Sequence, residues 1–576
     1  MNLKSKKTLA IIIVCIVLIL VLSILFLSKN PLLEQNKLDS WFYSSNSNSD
    51  FSNVVKGLMN VGSIGAVSQS LSTNDSMGYS VGGAKDISNF RANIENNYFP
   101  QPSDLTYEGL FYDYYFDTIN TKECNELFCP SYSYALTKDP FSEKDDYYLS
   151  VGLNSGMKQS DFERKKLNLV VVLDISGSMG SNFNKYYYDS FGNKIDNNSL
   201  DEDKSKSKMQ IANESVVELL KQLNDDDRFG MVLFDSSSYL AKPIELVGQT
   251  DMVAISNHIL EITPRGGTNF EAGLKEATSL FEEYKNNDKT EYENRIIFLT
   301  DAMPNVGQIG EDSLLGMTKT NADDGIYITF IGIGVDFQTE LIEEITKVRG
   351  ANYYSVHSSS EFKKRMGDEF DYMVTPLVFN LNLKLESNGF EIQKVYGSPE
   401  ANESTGEIMK VNTLFPSSSK EEGVKGGVIL LKLKKLNDNA NLKLNVTYED
   451  RTGQINNTNE EVNLIKVESD YYQNNGIRKA VLLSRYADLL KNWMNDEKGL
   501  INEPKTIIVP SVNKEDGIIV PIEYTLNKWE HQSTPLTVSN EYKNLFQEFK
   551  TYFENEMDSL NDDMLKQEVK LLNKLI

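Results

Sequence analysis

The stretch Leu167-Asn-Leu-Val-Val-Val-Leu-Asp-Ile-Ser-Gly-Ser178 joins an unbroken apolar run to a cluster of small oxygen-bearing side chains. An apolar run without polar alternation is typical of a strand covered on both faces, as in the middle of a parallel α/β sheet. Ligands of such sheets bind just beyond the carboxyl ends of the strands, where strand order reverses. The sequence therefore predicts a ligand site at Asp174, Ser176 and Ser178.

The residue types in this cluster favour a divalent metal ion. Hydroxyl and carboxylate oxygens without thiolate or imidazole suit a hard cation, and we expect Mg²⁺, with Mn²⁺ or Ca²⁺ as alternatives. Two further donors follow in suitable settings: Thr268 within Gly266-Gly267-Thr268-Asn269, and Asp301 directly after the apolar run Arg295-Ile-Ile-Phe-Leu-Thr300. Two other interpretations stay open: a polar loop that binds no metal, and a metal that only stabilises the fold.

In their order and strand contexts, these three elements resemble the metal-ion-dependent adhesion site of the von Willebrand factor type A family. The resemblance implies that Ser176 and Ser178 ligate the ion directly, and Thr268 directly or through water. It also implies that Asp174 and Asp301 act mostly through water. Because hydroxyl ligands are neutral, the cation keeps enough positive charge to attract a carboxylate from a protein partner.

The rest of residues 165–371 has the alternating pattern of a doubly wound, Rossmann-like parallel sheet, an α/β fold. Apolar runs predict strands at 228–234, 295–299 and 326–333, and amphipathic spacing predicts helices that begin near Met209 and Phe270. Residues 181–203, rich in Tyr, Asn and Asp, form an insertion after the first metal loop. This insertion is either a determinant of partner choice or a solvated surface loop.

The amino terminus predicts export and membrane attachment. An almost unbroken apolar stretch is long enough to nearly span a hydrocarbon core of about 30 Å, which places a transmembrane signal anchor at residues 8–28. Three lysines precede it, so residues 1–7 are expected in the cytoplasm and the bulk of the chain outside the cell. The predicted location is the cell membrane, with a single span. A cleaved signal peptide is the alternative.

Export would also allow a disulfide between Cys124 and Cys129, the two cysteines outside the apolar stretch. So small a loop contributes about 2 kcal/mol in the chain-entropy model, as a local constraint. Two reduced thiols in a loop are the alternative.

Four regions surround the α/β domain and the anchor. Residues 29–80 are rich in Ser, Asn and Gly and predict a flexible stalk. Residues 81–164 resemble the short segment before the type A domain in bacterial surface-anchored relatives, and we expect this segment to pack on that domain. Residues 372–470 alternate like short strands and predict a β-sandwich. Residues 471–576 have helical spacing and predict a helical carboxyl-terminal region.

Composition limits the function. A formal charge of −25 disfavours phosphate backbones, so we expect no nucleic-acid partner. The motifs of zinc peptidases, serine hydrolases and phosphate-binding loops are missing from the sequence, which favours a binding protein over an enzyme. We expect the chain to engage an acidic group of a protein partner. The alternatives are a regulatory or assembly subunit of a membrane channel, transporter or envelope complex, and a hydrolase that uses acidic clusters.

Overall fold

A computed structural model describes residues 37–44, 76–84, 86–118, 125–188, 206–284, 291–302, 304–307, 311–356, 365–367, 369–398, 407–421, 423–437, 441–462, 470–499, 506–512, 519–530 and 532–576. The α-helices in these ranges are α1 (Ser88–Glu95), α2 (Tyr107–Tyr112), α3 (Lys208–Leu220), α4 (Met252–Leu260), α5 (Phe270–Ser279), α6 (Glu311–Asp323), α7 (Thr339–Thr346), α8 (Phe370–Val374), α9 (Asn475–Lys498), α10 (Asn540–Leu560) and α11 (Lys566–Leu575).

The strands in chain order are β1 (Ser76–Val81), β2 (Gly83–Ala84), β3 (Tyr115–Phe116), β4 (Cys129–Lys138), β5 (Asp145–Lys158), β6 (Lys166–Asp174), β7 (Arg228–Phe234), β8 (Ser238–Leu246), β9 (Tyr292–Thr300), β10 (Ile326–Ile333), β11 (Asn352–Val356), β12 (Val378–Asn388), β13 (Phe390–Tyr396), β14 (Glu407–Ser417), β15 (Ser419–Lys420), β16 (Gly423–Lys425), β17 (Val428–Lys435), β18 (Asn441–Asp450), β19 (Ile455–Val462), β20 (Tyr471–Tyr472), β21 (Thr506–Val512) and β22 (Ile519–Thr525).

The α/β domain contains a seven-stranded sheet in the order β2-β11-β10-β9-β6-β7-β8. Neighbouring strands are parallel, except that β8 at one edge runs antiparallel to β7. The chain passes from β6 to β7 on one side and later returns to β9 on the other, so strand order reverses at β6. The doubly wound α/β fold is therefore confirmed, and β6 and β9 end side by side, where ligands of such sheets bind.

Both faces of this sheet are covered, as the apolar run of β6 indicates. Leu169 and Val171 face a core that includes side chains of α3, while Val170 and Val172 face a core that includes α5 and α7. Helix α3 begins with a capping box, because the Ser207 hydroxyl accepts from the Gln210 backbone N–H and the Gln210 side chain accepts from the Ser207 N–H. This cap fixes the start of α3 beside the end of β6.

The α/β domain is inserted into a second, ten-stranded sheet, whose main path runs β13-β17-β5-β1-β14-β12-β18-β19. Two further strands, β4 and β20, extend it from β5. Strands β1, β4 and β5 precede the α/β domain and the others follow it, so the strands of the β-sandwich predicted at 372–470 belong to a larger sheet that also contains strands from before the α/β domain. The physical reason is that β5 pairs on both edges and needs partners from both sides of the insertion.

This sheet folds over itself around an apolar core. The Phe128 ring, next to β4, lies 6.0 Å from the Tyr448 ring of β18, although many strands separate them along the sheet. The predicted segment 81–164 packs on the α/β domain, where the Asn93 amide donates to Val335 O at 2.9 Å, and it also contributes to this second core. Its strands β4 and β5 supply part of this core, and only β2 joins the α/β sheet, beside β11.

The carboxyl-terminal helices form a third layer around α9, where the sequence predicts helices. The Trp493 side chain of α9 is fully buried, with its ring 5.1 Å from Phe99 and 5.8 Å from Phe546 of α10. A hairpin of β21 and β22 interrupts this region and was not expected. The segment between β22 and α10 returns to the α/β domain.

Two pieces of the predicted stalk at 29–80 are ordered, so that prediction is wrong for them. Strand β1 is interior to the ten-stranded sheet. Residues 37–44 lie along the edge of the α/β domain, where the Leu38 N–H donates to Gln249 O at 2.9 Å and the Phe42 N–H donates to Ala241 O at 2.8 Å. Pairing with the exposed edge strand β8 satisfies backbone groups that would otherwise face solvent.

The predicted anchor at 8–28 lies outside the described residues, as do residues 189–203 of the insertion. In the parts of the chain that the structure describes, no helix has the length and apolarity needed to cross a membrane. Cys129 takes part in a disulfide, and Cys124 lies outside the described residues.

We expect Trp41→Ala to loosen the segment 37–44 from the edge of the α/β domain. Trp41 stacks on His258 with ring centroids 5.4 Å apart and planes at 9°, and such contacts contribute about 1 kcal/mol. Hydrogen exchange of the Leu38 and Phe42 amides should rise about fivefold. Phe42→Ala is the matched control, because the Phe42 side chain is mostly exposed. Unchanged amide exchange in Trp41→Ala would show that the backbone pairing alone holds the segment.

Candidate metal centre

The first loop of the site follows β6 directly. The Asp174 carboxylate accepts from the Ser176 N–H through Oδ1 at 2.8 Å, and from the Thr300 hydroxyl through Oδ2 at 2.6 Å. The hydroxyl oxygens of Ser176 and Ser178 lie 3.1 Å apart. All three predicted residues of this loop are buried. A carboxylate and two hydroxyls thus meet at the point where strand order reverses.

The second loop is fastened against the first by backbone hydrogen bonds. The Gly177 N–H donates to Gly266 O at 3.0 Å, and the Arg265 N–H donates to Ile175 O at 2.6 Å. Gly266 has φ +72°, and a Cβ there would lie 3.1 Å from the Asp235 side chain, so this turn requires glycine. The loop delivers Thr268, which is 2% exposed, beside the serine loop.

The third loop follows β9 and holds the second. The Asn305 side-chain Oδ1 accepts from the Thr268 N–H at 2.8 Å, and the Asn305 N–H donates to Thr268 O at 3.1 Å. Asp301, the fifth predicted residue, is fully buried at the end of β9. The three predicted loops therefore converge on one edge of the sheet, although no direct contact joins the Thr268 side chain to the serines among the hydrogen bonds of the described residues.

Lys208, the first residue of α3, is a buried cation next to the third loop. Its side chain is fully buried, with Nζ 3.1 Å from Asp301 Oδ2 and 2.5 Å from Asp336 Oδ1. The other Asp336 oxygen, Oδ2, accepts from the Tyr187 N–H at 2.9 Å. One oxygen of Asp301 is thus held by Lys208, while its Oδ1 makes no hydrogen bond of standard geometry within the described residues.

The site carries unbalanced negative charge. Burial, and next the nearby Asp301 carboxylate, raise the pKa of Asp174 to about 7. Burial also raises the pKa of Asp301, against the opposing effects of Lys208 and of the Ser178 hydroxyl. The two carboxylates are therefore close enough to repel each other. A cation between them would relieve that repulsion.

These residues fit a hard divalent cation. The donors are hydroxyl and carboxylate oxygens, and the buried Asp301 Oδ1 lacks a standard hydrogen bond within the described residues. In the described part of the chain, no group of three or more His, Cys, Asp and Glu side chains is arranged to hold a metal. A metal held here would therefore depend on the hydroxyls of Ser176, Ser178 and Thr268, as the sequence pattern predicts.

Sequence reasoning missed the residues that support the predicted ones. Lys208 and Asp336 hold Asp301, Thr300 holds Asp174, and Asn305 holds Thr268. A weak signal exists for Asp336, which follows the apolar run of β10, and for Asn305, which follows the third loop. Lys208 gives no such signal, because lysine is common at the ends of exposed helices.

Comparison with known proteins agrees with this geometry. Residues 169–304 match the family model of the von Willebrand factor type A domain. This match runs from β6 to the third loop, and we call the α/β domain that contains it the type A domain. Domains of that family mediate protein–protein interactions and often bind a divalent metal. The match excludes the ten-stranded sheet and the helical layer.

Distant relatives share this part of the chain. The uncharacterized protein YfbK of Escherichia coli K12 is 24% identical over 259 residues, 44% of this chain and 39% of the relative. Human inter-alpha-trypsin inhibitor heavy chain H4 is 23% identical over 228 residues, 39% of this chain and 22% of the relative. The chain thus spans less than half the length of these relatives.

Among solved structures, a von Willebrand factor type A protein from Catenulispora acidiphila aligns with 74% of this chain and 96% of its own. The TM-score is 0.39 and the identity 11%. An aerotolerance-related membrane protein from Bacteroides fragilis aligns with 36% of this chain and 98% of its own, with a TM-score of 0.27 and 18% identity.

Proposed function

We propose that this chain is a membrane-anchored, extracellular binding protein that captures an acidic group of a protein partner through Mg²⁺. Asp174, Ser176, Ser178, Thr268 and Asp301 would hold the ion, with Mn²⁺ or Ca²⁺ as substitutes of the same hard class. The bound ion supplies a positive, open coordination position for a partner carboxylate. The proposed role is binding without catalysis.

The observation that carries this proposal is the buried carboxylate pair beside the serine hydroxyls. Burial raises the pKa of both carboxyls, and a neighbouring carboxylate adds to it in each case, Asp301 for Asp174 and Asp336 for Asp301, so the metal-free site is electrostatically unfavourable. A divalent cation turns that repulsion into attraction. Because the nearest hydroxyls are neutral, the ion would keep enough positive charge to attract a carboxylate of the partner.

The proposed membrane location is inferred from the sequence. The apolar stretch at 8–28 and the lysines before it favour a single span with the type A domain outside the cell. The acidic chain is also better suited to a protein partner than to a nucleic acid, because it repels phosphates.

We expect Asp174→Ala to abolish Mg²⁺ binding. The full-length chain in detergent should gain thermal stability with Mg²⁺, by about 2.7 kcal/mol at a concentration one hundred times the dissociation constant. An array of short peptides, each with one central Asp or Glu, should retain the protein in Mg²⁺ but not in EDTA. Matching peptides with Asn or Gln should not retain it.

Asp226→Ala is the matched control. Asp226 is an exposed aspartate that pairs with Lys166 at the opposite end of the sheet. Its replacement by Ala changes the net charge by the same amount as Asp174→Ala and leaves the site intact. Equal peptide retention by the wild type and Asp174→Ala, or equal retention in Mg²⁺ and EDTA, would refute metal-dependent capture.

A further inference from the structure

A segment of the chain's own carboxyl-terminal region lies beside the metal loops. Residues 527–530 and 532–536, here called the cover segment, follow β22 and lead to α10. Trp529 is 3% exposed and packs into the core on one face of the type A sheet, a core that includes Ala302 and Leu314. Further along, the Leu536 N–H donates to Asn97 O at 2.8 Å. The cover segment is therefore held at both ends.

Glu530 lies between these two attachments and is 5% exposed. Its Oε1 accepts from the Tyr188 hydroxyl at 2.8 Å and from the Asn305 amide at 3.3 Å. Its Oε2 accepts from the N–H of Asn527 at 3.0 Å and from its side-chain amide at 2.9 Å. A buried carboxylate with four donors is strongly held, since hydrogen bonds to charged groups are stronger than neutral ones.

These contacts connect Glu530 directly to the third metal loop and, through Asn305, to the second. The Asn305 amide that donates to Glu530 also accepts from the Thr268 N–H, so one side chain bridges the carboxylate and the second loop. Tyr188 belongs to the insertion after the first loop, and its carbonyl accepts from the Ser533 N–H at 3.0 Å. Glu530 thus ties the insertion after the first loop to the third loop.

We propose that the cover segment is a built-in acidic competitor, and that a partner reaches the metal site by displacing Glu530 from Tyr188 and Asn305. The inference rests on the proposed function, since it concerns access to the same site. Glu530 carries the same chemical group that the metal site is proposed to capture. A partner would bind only the molecules in which the contacts of Glu530 are open, so the apparent affinity for an external carboxylate falls with the fraction of closed molecules.

The test uses the full-length chain in detergent with saturating Mg²⁺ and a pool of short peptides, each with one central Asp and blocked termini. Glu530→Ala is expected to bind the pool about tenfold more tightly than the wild type, because it removes the hydrogen bonds to a charged group that favour closure. Tyr188→Phe should shift affinity in the same direction by less. It removes one donor and leaves the Asn305 contact intact.

Hydrogen exchange provides the second measurement. The amides of Ser533 and Leu536 should exchange faster in Glu530→Ala, and faster in the wild type once the peptides are added. Glu541→Ala is the matched control, because Glu541 is an exposed glutamate at the start of α10. It should change neither affinity nor exchange.

The outcomes separate the two proposals. If Glu530→Ala binds the peptides with equal or lower affinity, Glu530 positions Asn305 and does not compete, and the cover segment is not a gate. The same conclusion follows if the peptides bind the wild type while the Ser533 and Leu536 amides stay protected. If neither the wild type nor Glu530→Ala binds Mg²⁺ or peptides, the proposed function itself is refuted, and the competitor with it.

Discussion

Lys208→Met is expected to lower the free energy of unfolding of the type A domain by about 3–5 kcal/mol. The Lys208 ammonium is fully buried between Asp301 and Asp336, at 3.1 Å and 2.5 Å. Its removal leaves two buried carboxylates without that cation, next to the further carboxylate of Asp174. Hydrogen exchange of the β9 amides in EDTA measures this loss of stability.

Two variants make this prediction specific. Lys206→Met removes a partly buried lysine two residues earlier, whose partner Glu214 is half-exposed, and should cost less than about 1 kcal/mol. The double variant Lys208→Met with Asp301→Asn removes one of the unpaired charges and should recover part of the lost stability. A loss in Lys208→Met no larger than that in Lys206→Met would show that solvent reaches the two carboxylates.

The strands that carry the site could be predicted from the sequence because the signal for each is local. The runs before Asp174 and Asp301 are apolar without alternation, and the structure places both in the interior of the parallel sheet. The five candidate ligands follow strands or glycine turns, so their convergence on one edge also follows from the parallel arrangement. In this part of the chain, local pattern and global fold agree.

The second sheet could not be predicted because its partners are distant in sequence. β5 pairs with β17 across the whole inserted type A domain, and nothing in either strand identifies the other. The same holds for Glu530, whose partners Tyr188 and Asn305 lie hundreds of residues earlier. Polar contacts between distant segments have no periodicity, so only the structure reveals which carboxylates lie next to the site.

Without divalent metal, the type A domain is expected to lose stability as pH rises from about 4 to about 7. Burial and Asp301 raise the pKa of Asp174 from its ordinary value of 3.8 to about 7 in the folded state. In this interval the folded state binds more protons than the unfolded state, so the free energy of unfolding falls with increasing pH. The stabilisation is complete below the unfolded pKa and is lost as pH passes the folded one.

Magnesium should reverse this trend, because the ion binds the deprotonated carboxylates. Urea unfolding from pH 4.5 to 8 in EDTA, and again in excess Mg²⁺, tests both parts. Glu108 is partly buried, and desolvation likewise raises its pKa to about 7, so it contributes a similar slope that metal does not change. Glu108→Gln should therefore lower the slope common to both conditions, to which Asp104, Glu343 and Asp371 also contribute, while Asp174→Asn should remove the difference between them. If Asp174→Asn left the difference between EDTA and Mg²⁺ intact, the ion would stabilise the protein from another place.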